Sequence, residues 1–304
     1  MNITRRTISE LKWPGGAKVC VTPSIVFETW SKGVAPGTNA PGGFIGGGVT
    51  VSDVRDLRAE KMIEFGGNVG AARLSEVLER EGLRGSVLLN GRAVEEYPDV
   101  VREMAEAGHE MVGHSFAQDI STYRFATPEA ERENIRKTTE IIRDVTGVTA
   151  TGWISPRATP SEFTAELLMD EGYEWFGDYP DDELPYLLEA EDGRVLVSVP
   201  YSATPGVNDY ETGVIQGGFP SDYVEQFSRT LDYLREEYEV TGRVGMVRAS
   251  VHAHVYGRAF GRWAFRDAMR YAKGFDDVWI ATRGEIAKAV LEQAGARDKL
   301  GSAT

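Results

Sequence analysis

Residues 97–115, YPDVVREMAEAGHEMVGHS, hold the unit from which much of this chain is built. Pro98 opens an amphipathic helix over 98–107, Gly108 stops it, and HEMVGHS is a short apolar strand ending on His114. Upstream, GNVGAARLSEVLEREG reads as a helix ending at Gly82, followed by a strand in LRGSVLLNGR. Downstream come a helix at 128–146 opened by Thr127-Pro128, a strand at 149–154 and a helix at 160–171 opened by Thr159-Pro160. The pattern continues with a strand at 195–202, a helix at 220–238, a strand at 243–255, a helix at 262–273, a strand at 277–282 and a helix at 283–295. Before all of these, AKVCVTPSIVFE (17–28) is a buried strand. Strands alternating with helices imply parallel units with right-handed crossovers. About seven such pairs predict an α/β fold, an irregular (β/α)7-8 barrel forming one domain over 1–304, with an N-terminal arm at 1–16. In barrels and open sheets alike, chemistry lies at the C-terminal ends of the strands.

Composition narrows the function. The 304 residues are 41% hydrophobic with no apolar run of membrane-spanning length, which predicts a soluble protein. A net charge of −14 argues against nucleic-acid and membrane partners, which demand concentrated Lys and Arg. The opening MNITRRTISELKWPGG has no apolar signal-peptide core, and Cys20, alone in an apolar run, reads as packing. Together these predict a cytoplasmic protein. Residues 29–58, with PGTNAPGGFIGGGVT at their centre, show no periodicity and lack the dinucleotide and phosphate-loop fingerprints, so they are expected to be a lid loop.

The four histidines can be weighed singly. His109 opens its strand and is expected to cap it or face solvent, whereas His114 ends the same strand at the barrel rim. In ASVHAHVYG, alternation puts Ser250, His252 and His254 on one face. Glu28 ends an apolar strand, where a carboxylate is costly without a partner. Asp119, five residues past His114, could orient the imidazole, bind a ligand or cap a turn, and Arg157 in GWISPR is suited to hold a carboxylate or carbonyl.

GHEMVGHS, TPEAERENIRKTTEIIRDVTG, GWISPRATPSEFTAELLMDEGY and the late histidine strand resemble the polysaccharide deacetylase (NodB-homology) pattern over about residues 17–290. GDYPDDELPY and VPYSATPGVND resemble its allantoinase-like branch. The resemblance implies the irregular barrel, hydrolysis of a non-peptide carbon–nitrogen bond, and assembly as a dimer or tetramer. It also exposes departures. The family's Asp-Asp pair after the first strand is reduced to Glu28, and its His-x-x-x-His ends on Gln118. Zinc normally takes three His, Cys or carboxylate ligands, so a divalent ion here would rest on Glu28, His114 and Gln118 or Asp119, or no cofactor is required. The reading that follows is hydrolysis of a small amide, ureide or cyclic imide. Glu28, His114, Asp119 and His252 are the catalytic candidates; Trp30, Gln118, Trp153, Arg157, Tyr201, Asn208 and His254 are the candidates for substrate binding. A metal-dependent N-deacetylase of amino sugars and a non-catalytic barrel are the rival readings.

Overall fold

The computed structural model describes residues 3–34, 57–201 and 207–301. Most of the expected lid, 35–56, lies outside the described residues. The strands are β1 (Ile3–Arg6), β2 (Val19–Phe27), β3 (Ser86–Leu89), β4 (Glu110–Gly113), β5 (Gly152–Trp153), β6 (Trp175–Phe176), β7 (Tyr186–Ala190), β8 (Val195–Ser198), β9 (Val207–Asn208), β10 (Gly245–His252) and β11 (Val278–Ile280). They form one sheet in the order β1-β7-β8-β6-β5-β4-β3-β2-β10-β9, with β11 paired to the first residues of β2. From β8 to β9 every pair is parallel, and β7 with β1 adds an antiparallel flank. The fold is the irregular (β/α) barrel expected, and among the described residues no ladder joins β8 to β9.

Period-two alternation sorts the side chains into two layers. Val19, Val21, Ile25 and Phe27 of β2, with Val87, Leu89, Val247 and Val251, pack outward against Leu74, Leu78, Met104, Phe227 and Phe265 of the helices. Cys20, Val26, Leu88, Val112, Trp175, Val197 and Met246 fill the interior with Trp13, Ile286 and Val290. On this alternation Glu28, Asn90, His114 and His252 all continue the inward set at strand ends, which is why they meet.

Several boundaries differ from the sequence reading. The helix expected from 67 begins at Leu57–Phe65, passes through a π-helical turn at Gly66–Gly70 and continues as Ala71–Arg80. The glycines serve close packing rather than termination: a Cβ on Gly70 would lie 1.9 Å from the Ala253 carbonyl oxygen, in the turn that carries His254. The helix expected at 160–171 is Thr164–Asp170, because Ser161 and Thr164 give their hydroxyls to Glu131 of a neighbouring helix. The helix at Pro128–Thr146 runs as expected, with Thr127 Oγ1 accepting the Ala130 N–H and Gly147 in the left-handed region. The N-terminal arm is not free. It supplies β1, and Trp13, 2% exposed, donates its indole N–H to the Gly245 carbonyl at 2.8 Å.

Candidate active site

Glu28, His114 and His252 converge at the C-terminal ends of β2, β4 and β10. The Glu28 carboxylate oxygen Oε1 lies 3.6 Å from His114 Nε2 and 3.8 Å from His252 Nε2, and all three side chains are buried. Asn90, fully buried, braces the first two: its Oδ1 accepts the Thr29 N–H at 2.9 Å and its amide donates to the His114 carbonyl.

The two imidazoles are held in different states. His114 Nδ1 faces the Ile154 carbonyl at 2.5 Å. A carbonyl can only accept, so Nδ1 carries a proton, and His114 turns its Nε2 toward the Glu28 carboxylate without a hydrogen-bond partner. His252 is held by Asp209, which is fully buried. One Asp209 oxygen accepts the Nδ1–H at 2.7 Å, and its carboxylate also receives the backbone N–H groups of His252 at 2.9 Å and Tyr256 at 3.1 Å. Burial alone would discharge His252, but the carboxylates of Asp209 and Glu28 outweigh it and raise its pKa to about 9. Burial likewise works against the Glu28 carboxylate, yet the charge of His252 and the nearness of His114 bring it down to about 2. At neutral pH the pocket therefore holds a carboxylate and an imidazolium donor, with a second imidazole facing the same carboxylate.

The other expected residues are placed less evenly. Gln118 is buried, its N–H donating to the Thr29 carbonyl at 2.9 Å and its Oε1 lacking a partner. Asp119 accepts the Ser31 N–H at 2.7 Å, so the orienting role expected of it toward His114 falls to the Ile154 carbonyl. His254 lies past the end of β10, buried, with Trp30 edge-on at 5.6 Å, and burial lowers its pKa to about 3. Tyr201 and Asn208 bond one another, Asn208 Nδ2 to the phenol oxygen at 2.9 Å. Trp153 does not line the site: it packs outward with Ile135, Tyr173 and Phe176, and its indole donates to Ser155 Oγ. His109 is not at the surface either. Its Nδ1 accepts the Gly85 N–H at 3.1 Å and its Nε2 meets Ser75 Oγ at 3.0 Å, a ligature between elements. Arg157 is exposed at the rim.

Two carboxylates escaped sequence reasoning. Asp209 sits beside Asn208 in GVNDY, and adjacency to a candidate was its single signal. Asp178, two residues past β6, is 1% exposed; its Oδ1 accepts the Ser155 N–H at 2.7 Å while Oδ2 has no partner. Burial raises it to about 6 against the pull of Ser155.

Comparison with known proteins places this arrangement. The sequence profile described as polysaccharide deacetylase matches residues 63–176. Over that segment the chain is similar to a polysaccharide deacetylase domain. A Schizosaccharomyces pombe protein that bears the polysaccharide deacetylase name is 28% identical over 90% of this chain and 86% of its own length. A peptidoglycan deacetylase of Helicobacter pylori is 27% identical over 50% of this chain and 53% of its own. Among solved structures, Puue allantoinase superposes with a TM-score of 0.80 at 24% identity, covering 92% of each chain. At a coarse level the relationship makes the protein a hydrolase of non-peptide carbon–nitrogen bonds.

Deacetylases of this type typically use a divalent metal, and the donors of this domain were tested against one. Among the described residues no three His, Cys, Asp or Glu side chains form a metal-holding group. His252 gives its Nδ1–H to Asp209, and the unpartnered oxygens of Gln118 and Asp178 do not join Glu28 and His114 in a metal-holding group. That set does not fit a three-ligand zinc centre. No helix among the described residues is long and apolar enough to cross a membrane.

Proposed function

We propose that this protein hydrolyses a carbon–nitrogen bond in a small amide, ureide or cyclic imide by acid–base chemistry among its own side chains. The observation that carries this reading is the convergence of two imidazoles on Glu28: His114 Nε2 at 3.6 Å and a protonated His252 at 3.8 Å. With His114 carrying its proton on Nδ1 alone, Glu28 Oε1 and His114 Nε2 both accept, so a water beside them is held by both of its hydrogens. Glu28, near 2, is a weak proton acceptor at neutral pH, and the better match for general base is His114. The water oxygen bonds to the carbonyl carbon and its proton passes to His114 Nε2. The developing oxyanion meets the His252 Nε2–H, which then gives its proton to the nitrogen as the carbon–nitrogen bond breaks. Asp209 holds His252 in orientation throughout.

The pocket's unpartnered polar atoms bear on the substrate. Gln118 Oε1 and Asp178 Oδ2 are buried acceptors without donors and His114 Nε2 is buried without a partner, a state that costs free energy until a ligand supplies one. A ring with several N–H groups, such as a hydantoin or a cyclic ureide, answers that need better than a single-donor imide. The structural likeness to an allantoinase supports the same reading. Turnover of allantoin, hydantoins and succinimides should be compared with that of N-acetylglucosamine oligomers, and activity confined to the oligomers refutes it. N-deacetylation of amino sugars breaks the same type of bond and is supported by the names of two relatives. Metal dependence would separate it from the acid–base reading.

A further inference from the structure

Arg157 stands in a conformation that its own backbone disfavours. It has φ 59° and Ala158 follows with φ 50°, two successive non-glycine residues in the left-handed region, where Cβ crowds the neighbouring carbonyl. The turn is locked from several sides. Asp178 Oδ1 receives the Ser155 N–H, the Ala158 N–H returns to the Ser155 carbonyl at 2.8 Å, Thr159 Oγ1 donates to the Pro156 carbonyl at 2.8 Å, and Thr122 donates to the Thr159 carbonyl. Strain maintained by this much surrounding structure is a feature of ligand clamps.

The locked turn belongs to the reaction site. Ile154, three residues earlier, is the residue whose carbonyl fixes His114, so at most about 11 Å of chain separates the two positions. Tyr210, whose ring packs 5.5 Å from His252, is close enough for the Arg157 charge to favour its phenolate. Yet Arg157 forms no ion pair with any described residue, although this chain carries 47 acidic residues against 33 Lys and Arg. Its side chain is exposed and, among the described residues, without an ion-pair partner. Deeper in the pocket the charge has the opposite sign. Glu28 and Asp209 together outweigh His252, and Asp178 adds to them at neutral pH. An anionic group on a substrate is repelled from the floor and attracted to the rim.

We propose that Arg157 forms a carboxylate subsite at the mouth, so that the substrate is a small amide or ureide bearing a carboxylate remote from the bond that is cut. This rests on the amide-hydrolase reading of the Glu28 site. A planar guanidinium takes a carboxylate through two parallel hydrogen bonds, and one charge-assisted contact of this kind is equivalent to about tenfold to a hundredfold in affinity. The acid-bearing ring then lies with its far edge on Arg157 and its scissile carbonyl toward Glu28 and His252.

The test compares hydantoin-5-acetate with its uncharged counterpart hydantoin-5-acetamide. Dissociation constants are measured by calorimetry on the full chain carrying Glu28→Gln, and kcat/KM on the chain with Glu28 intact. The expected result is an acid-to-amide preference of about tenfold or more in both, expressed in KM rather than kcat. Adding Arg157→Gln should bring the ratio to about one, whereas Arg157→Lys should keep it above one. A ratio near one with Arg157 present, a ratio unchanged in Arg157→Gln, or no binding of either ring overturns the subsite. Binding with the expected ratio but no turnover of either ring refutes the hydrolase reading and leaves the subsite standing. Turnover of both without preference does the reverse.

Discussion

Replacing Asp209 by Asn tests the acid half of the site most directly. The side chain keeps its size and one acceptor oxygen, but it loses the charge that holds His252 as a cation. The magnitude follows from the structure: His252 stands at about 9 rather than 6.5, and at 1.36 kcal/mol per unit this is about 3 kcal/mol of preference for the charged form. Asp209 is the largest contributor opposing desolvation. If that preference supports transfer of the His252 proton, its loss should lower kcat by about a hundredfold. The pH profile moves as well. His252 acts as acid while protonated, so activity in the unmodified protein should hold until pH rises through about 9, and in Asp209→Asn the alkaline fall should begin at least one unit lower. Stability obeys the same sign. A raised pKa stabilises the fold fully below pH 6.5, and that contribution disappears as pH climbs through about 9, so the variant should lose most in melting temperature at or below neutral pH. The assay is kcat/KM for a hydantoin across pH 5–10 beside melting curves at the same pH values. An alkaline limb at the same pH in both proteins, with kcat within about threefold, would refute the assignment of His252 as an Asp209-supported acid.

Asp178→Asn should raise stability at neutral pH, because burial has pushed this carboxylate from 3.8 up to about 6 and ionising it there works against folding by about 3 kcal/mol; the gain in melting temperature at pH 7 should vanish by pH 4, and equal gains at both values would contradict the account. Gly70→Ala places a Cβ 1.9 Å from the Ala253 carbonyl, so about 1–3 kcal/mol of stability and much of the activity should be lost as the His252–His254 turn shifts; a melting curve matching the parent's would show that this close approach is relaxed at no cost. Exhaustive chelation should leave hydantoin turnover unchanged, since the donors do not complete a three-ligand metal set, and loss of activity restored by zinc would favour the N-deacetylase reading.

What the sequence determined by itself was local and periodic. The 98–107 helix between Pro98 and Gly108, and the 128–146 helix between Thr127 and Gly147, carry their own start and stop signals. The apolar run 19–27 declares a buried strand because few other uses exist for it, and a polar group at its end, Glu28, declares a site candidate because burying it without partners is costly. Alternation then put Ser250 and His252 on one face of their strand without any knowledge of the barrel.

Tertiary structure decided which of these residues meet and in what state of charge. Asp209 and His252 are separated by dozens of residues, as are Ile154 and His114, and no local pattern couples such pairs. The Nδ1 proton of His114 is fixed by a carbonyl at the end of the neighbouring strand, the charge of His252 by a carboxylate from the β9 end, and the idle position of Trp153 by packing outside the barrel. Asp119 shows the limit from the other side. Five residues from His114, it spends its carboxylate on the Ser31 backbone. Sequence constrains a residue's neighbours along the chain within a turn or a strand, while protonation depends on desolvation and on charges a few ångströms away through space, and those are known only once the chain has closed upon itself.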